Sequence, residues 1–331
     1  MRHQKKRWFA ALLSLCMLLS ILPSTSLAFS ESEETWSGNR RNQTIDGGTH
    51  TITLSNLTID SPGVEKSAID ITGNADVTFI LEGNNTLRGY RNHPAIWVES
   101  GSSVTFEGNG LLEASAGGAS IGLGAAGIGG GYGASSNFGN ITINGGTIIA
   151  RGSGGGAGIG GGYEVGSGTV TGNVTINGGY VTAIGGSSGS TGGAGIGSGE
   201  NANYSGTVTI NGGVVYAEGG ADSTSIGSGN RAIGTSDNGA FTTGTGGNAV
   251  IVAPDGIGDP SGFADWDGIF ISYEGSNTSA TVGEDGTVHL NDTEANIQVW
   301  GEPVIDYPLV VESGTELRVV QNDRNYAYAT L

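Results

Sequence analysis

The chain reads as an all-β solenoid, a right-handed parallel β-helix with a C-terminal β cap, on three observations: an internal repeat, a two-residue alternation within it, and abundant glycine. The repeat is carried by two motifs in fixed order. Ile141-Thr142-Ile143-Asn144-Gly145-Gly146 returns as Val174 to Gly179 and as Val208 to Gly213, at nearly constant spacing. Ala126-Gly127-Ile128-Gly129 returns as Ala157-Gly158-Ile159-Gly160, Ala194-Gly195-Ile196-Gly197 and, degraded, Thr224-Ser225-Ile226-Gly227. Two motifs alternating in this way mark stacked units. Helical repeats have a period of about this length too, but Ile141 and Ile143 share one face with Thr142 opposite, which is strand periodicity. Glycine supplies 64 of 331 residues and disfavours a helix interior by about 1 kcal/mol each relative to alanine. It shows no every-third-residue pattern, which excludes a collagen-like triple helix.

Residues 1–28 are read as a secretory signal peptide. Arg2, Lys5, Lys6 and Arg7 precede an apolar run from Ala10 to Pro23, and Ser26-Leu27-Ala28 forms a small-residue cleavage site. The rival is lipidation at Cys16, but Ser14-Leu15 before it and Met17 after it fit a lipobox poorly. Residues 29–44 lead in to the repeats, which span 45–250. Early rounds are shorter, because their corner loops are shorter: Thr51-Ile52-Thr53-Leu54 is followed by Val77-Thr78-Phe79-Ile80 and then by Val104-Thr105-Phe106-Glu107. Ala68-Ile69-Asp70-Ile71 returns one such round later as Ala95-Ile96-Trp97-Val98.

Stacking the rounds predicts an interior column of Ile69, Ile96, Ile128, Ile159, Ile196 and Ile226, and an exterior column of Thr142, Thr175 and Thr209. It also stacks Asn144, Asn177 and Asn211 at one corner, where asparagine tolerates a left-handed backbone and its amides can pair from round to round. The repeat fades after about Val250. Residues 251–331 are expected to form a β cap or small β domain that covers the last open edge.

Composition excludes several functions. Cleavage at Ala28 would leave 9 basic against 31 acidic residues, a net charge of −22, with Lys66 the sole lysine. Such a chain has no lysine and arginine footprint for nucleic acid. Its only cysteine would be removed, so disulfides, thiolate metal sites and cysteine nucleophiles are excluded from the mature chain. No apolar run beyond the leader is long enough to span a bilayer.

Trp97 is the leading candidate for function. If Ile96 and Val98 point inward, the indole projects outward above Asp70, at one end of a strip formed by Gly129, Gly160 and Gly197. There a sugar could stack its C–H face on the ring. Arg88, Tyr90, Arg91, Asn92, His93 and Glu99 would offer hydrogen bonds to hydroxyls or to a uronate carboxylate. The structural alternative is that the segment from Gly89 to His93 covers the indole. Tyr180 and Tyr216, on neighbouring rounds and two residues out of step, form a second candidate carbohydrate platform, or else pack as cross-strand neighbours. If a metal is bound, calcium is expected, on Asp255, Asp259, Asp265 and Asp267, although aspartate is equally a turn residue.

The alternation of AGIGGG-type and ITINGG-type motifs resembles the glycine-rich β-helical repeats of secreted bacterial surface proteins. The run from Ala68 to Val104 is similar to the β-helical carbohydrate-binding domains of clostridia and their relatives. The resemblance covers residues 45–250 and implies extracellular polysaccharide binding, sometimes with calcium. The function expected is therefore a secreted, noncatalytic polysaccharide-binding or cell-surface adhesion module. Two alternatives stand beside it, a calcium-dependent pectate-lyase-like enzyme and a purely structural surface protein. The chain lacks the Asp-Asp, Ser-His-Gly and Arg-Ile-Lys signatures of polygalacturonases, and His50, His93 and His289 are too scattered for a zinc site or serine triad. Ice binding would need more than three stacked threonines.

Overall fold

A computed structural model describes residues 34–60, 65–118, 123–133, 136–165, 168–230, 238–243, 249–258, 266, 268–273, 280–283, 286–290, 294–300, 308–311 and 316–322. Residues 1–28, read above as a signal peptide, lie outside them. Among the described residues the regular elements are all strands, and no helix is long and apolar enough to cross a membrane.

Each repeat sends one strand to a seven-stranded sheet and one or two to an eighteen-stranded sheet. The small sheet consists of Gln43–Asp46, Ile69–Thr72, Ile96–Val98, Ile128–Gly129, Ile159–Gly160, Ile196–Gly197 and Ile226–Gly227, paired in parallel in chain order. The expected isoleucine column holds residue for residue. Ile69, Ile96, Ile128, Ile159, Ile196 and Ile226 pair in sequence and are at most 1% exposed. Burying each side chain contributes about 1.5–3 kcal/mol.

The threonine column is longer than the repeat suggests, so the count of three set against ice binding does not hold. Thr51, Thr78, Thr105, Thr142, Thr175, Thr209 and Thr242 fall in one register on the large sheet. Beside it, the Asn177 amide donates to Asn144 at 2.8 Å, and Asn211 to Asn177 at 2.7 Å. The expected amide ladder therefore forms, but the asparagines do not take the left-handed backbone. Gly146, Gly179 and Gly213 do, at φ 80°, 81° and 85°, because a residue without Cβ reaches that region at no steric cost.

The stack extends at both ends. Glu34–Asn39, expected as lead-in, already pairs in parallel with Thr49–Asp60 and buries Trp36. At the other end Ala249–Val252 pairs in parallel with Gly268–Tyr273. Glu294–Trp300 then adds to Gly268–Tyr273 antiparallel, and Glu316–Asn322 pairs with it in parallel. Val288 and Ile297 close a second hydrophobic cluster with the outward-facing Val214, Tyr216, Val250, Val252 and Ile271. The C-terminal region thus covers an outer face of the last rounds as well as extending the sheet.

Candidate functional site

Trp97 lies where the repeat places it. It pairs with Asp70 on one side and Gly129 on the other, between the buried Ile96 and Val98. The indole stays out of the core and is half-buried, since the strand alternation that turns Ile96 inward turns its neighbour outward. The segment before the strand does not cover it completely. Arg91, Asn92, His93 and Pro94 instead form, with Trp97, Glu65, Gly131 and Tyr132, the wall of a pocket of about 270 Å³.

This segment is pinned by backbone bonds from Tyr90 N to Lys66 O at 3.1 Å, His93 N to Tyr90 O at 3.2 Å and Gly117 N to His93 O at 3.0 Å. Arg91 has a positive φ of 48°. Its guanidinium lies 5.3 Å from the Tyr90 ring centre and 3.5 Å from Glu65. Both partners of that ion pair are exposed, so it contributes little to stability. The Trp97 indole nitrogen and the Asn92 side-chain amide oxygen are enclosed without hydrogen-bond partners. The indole therefore offers a solute its ring rather than its N–H. Burial raises the Asp70 carboxyl above the usual carboxylate range, partly offset by the Ser67 hydroxyl and by the charges of Lys66 and His93.

The structure separates the other candidates. Asp70 is the register neighbour of Trp97 but does not line the pocket. Arg88 sits exposed on the large sheet between Asp60 and Ser115. Tyr90 supports Arg91 from beneath. Glu99 accepts the Gly73 N–H at 2.9 Å, so its carboxylate secures a corner of the preceding round. The tyrosine platform is corrected by its surroundings. Tyr180 and Tyr216 are two residues out of step, as expected, yet Tyr216 is only 5% exposed, and both pack in the cluster closed by Val288 and Ile297. The Tyr216 hydroxyl donates to Glu218 at 2.6 Å.

For calcium, Asp255 accepts the Gly219 N–H at 2.9 Å, and burial raises its carboxyl. Asp259, Asp265 and Asp267 lie outside the described residues. Among the described residues no three His, Cys, Asp or Glu side chains gather as a metal group.

The glycine strip is also corrected. Gly129, Gly160 and Gly197 are buried, so no open groove runs along them. A Cβ on Gly160 would collide with the Gly197 carbonyl, and φ there is 135°. These residues are glycine because neighbouring backbones touch. Each AGIGG unit folds on itself, with Ala157 N bonded to Gly161 O at 2.9 Å and Ala194 N to Ser198 O at 3.0 Å. Following segments return over the preceding round, with Tyr163 N bonded to Gly124 O at 2.9 Å and Asn230 N to Gly192 O at 2.9 Å.

Two stacked aromatic residues, one of them beside Trp97, escaped the sequence reading. Tyr132, in the pocket wall, stacks on Tyr163 with ring centres 5.8 Å apart and planes at 26°. Their signal was present as Ile128-Gly-Gly-Gly-Tyr132 and Ile159-Gly-Gly-Gly-Tyr163. No protein-family model, curated protein or solved structure matches the chain, so the reading of this site rests on its own geometry.

Proposed function

We propose that the chain winds as a right-handed parallel β-helix and acts as a secreted, noncatalytic polysaccharide-binding or cell-surface adhesion module, with its glycan at Trp97. The winding is supported by rounds that alternate between the two parallel sheets in constant register. Its hand follows the strong preference for right-handed crossovers between parallel strands. The observation that carries the binding reading is the pocket in which a half-buried tryptophan stands beside Tyr132, Arg91 and His93. A flat ring among a few polar groups suits the apolar face and the rim of hydroxyls of a sugar. Its tryptophan stands on a parallel strand, and backbone hydrogen bonds pin the segment from Tyr90 to His93 beside it, which limits the ordering cost of binding.

Retention on insoluble cellulose, pectin and peptidoglycan tests the proposal. Wild-type protein is expected to bind at least one of them, with about tenfold weaker retention for Trp97→Ala. Retention unchanged by that substitution removes the site. Chelator-sensitive release of unsaturated products from polygalacturonate would replace binding by a lyase reaction.

A further inference from the structure

We propose that the chain carries a second binding surface, separate from the Trp97 pocket and on the large sheet, where a flat lattice of threonine and asparagine side chains adsorbs to ice. The lattice occupies the outer face of Asn140–Ile143, Asn173–Ile176 and the end of Asn203–Ile210. Its central column is Thr142, Thr175 and Thr209. Two residues back along the same strands stand Asn140, Asn173 and Thr207, and two residues forward Asn144, Asn177 and Asn211. All nine turn away from the core, since Ile141, Ile143 and their equivalents between them are buried.

These side chains are held in place. The Asn173 amide donates to Asn140 at 3.0 Å, while the Asn173 side-chain oxygen accepts the Thr207 N–H at 3.0 Å. On the other flank the ladder from Asn211 through Asn177 to Asn144 fixes the remaining amides. Threonine is stiff at χ1, because its Cβ is branched. Among the described residues the hydroxyls of Thr142 and Thr175 make no hydrogen bond to the protein, which leaves them to water.

Rounds repeat about 4.8 Å apart, and alternate residues of a parallel strand stand about 6.6 Å apart. A grid of hydroxyls and amides with these two steps approaches the spacing of water oxygens on a prism face of ice. Water held on the grid is thus arranged much as an ice layer is, and a rigid surface pays little further ordering when that layer freezes on. The threonine column alone runs on through Thr105, Thr78 and Thr51 and, at the other end, to Thr242, six steps or about 29 Å of stack.

Charge and shape select this occupant. None of the nine positions is charged, in a chain with 31 acidic residues, and ice accepts ions poorly. The lattice begins where charge stops, since the same flanking columns hold Asp76 and Glu107 in earlier rounds. A crystalline polysaccharide would be gripped by aromatic rings, and the nine positions carry none.

The test is adsorption of the full chain to slowly growing ice, read as incorporation of dye-labelled protein, crystal shaping and thermal hysteresis against an ordinary soluble protein. Wild type is expected to enter the ice and shape its crystals. Thr142→Lys and Thr175→Lys each set a flexible, strongly hydrated charge in the middle of the grid, and each should lower incorporation to that of the soluble protein. Glu113→Lys, exposed on a neighbouring strand of the same sheet, and Trp97→Ala should leave it unchanged. Exclusion of wild type from ice overturns the proposal whatever the variants do. So does incorporation that survives both threonine substitutions, or that falls equally with Glu113→Lys. Retention on cellulose that is lost with Thr175→Lys but kept with Trp97→Ala, without adsorption to ice, would assign the face to a solid polysaccharide and overturn it too. The glycan site stands or falls separately, on Trp97→Ala and polysaccharide retention.

Discussion

The early and late rounds solve the same packing problem with different materials. Between residues 34 and 115 the interior is filled by side chains: Trp36 lies 6.3 Å from Phe79, and Phe79 lies 5.9 Å from Phe106, each with tilted rings. Between residues 123 and 230 the corresponding column continues as Ile143, Ile176 and Ile210, and a neighbouring one as Ala150, Ala183 and Ala217. The small sheet there shrinks to Ile-Gly pairs closed by backbone bonds. The first half is held by filled volume throughout, whereas the second combines close backbone approach with one buried aromatic pair, Phe138 and Tyr204, whose ring centres lie 6.3 Å apart. A glycine-rich stretch is therefore not a weak one, provided each missing Cβ is replaced by a neighbouring carbonyl.

Substitutions that exploit this difference should act in opposite halves. Gly160→Val should have the largest effect. It forces a β-branched residue to φ 135° against the Gly197 carbonyl, for a loss of about 4–5 kcal/mol, at the exceptional end of single substitutions. Proteolysis should then cut the late rounds first, and a late half as resistant as wild type would contradict backbone packing.

Phe79→Ala comes next. It removes a fully buried ring between two aromatic neighbours, at about 3–5 kcal/mol in denaturant unfolding. A loss below about 1 kcal/mol would mean that filled volume is not what holds the early core.

The smallest effect is electrostatic. Burial raises the Asp70 carboxyl, so the native state holds its proton more tightly than the unfolded chain and is most penalised for the charged form at neutral pH. Asp70→Asn should therefore raise the melting temperature near neutrality. That gain should shrink as the pH falls through the carboxylate range, where both states become protonated. A gain independent of pH would show that the charge is not its source.

The backbone plan was legible in the sequence because a stack turns chain distance into register. Trp97 between Asp70 and Gly129, and the unbroken isoleucine column, follow from counting residues. Of the site, Trp97, Arg91, Asn92 and His93 were legible because they lie within one short stretch, and Glu65 and Tyr132 were not, since the pocket draws on adjoining rounds. Exposure was harder to read than register. The glycines looked like an open strip because a missing side chain resembles empty space, whereas a folded-back backbone fills it. Tyr216 looked exposed because its strand alternates, but the chain that covers it arrives only with Val288 and Ile297, far along the sequence, and leaves no local trace.

The closed AGIG loops give each late round nearly the same backbone shape as its neighbours. Since its hydrogen bonds ask of a neighbour only another backbone at the same height, a link could be duplicated or deleted during descent without any matching change elsewhere. The length of the stack is then free to vary by counting links.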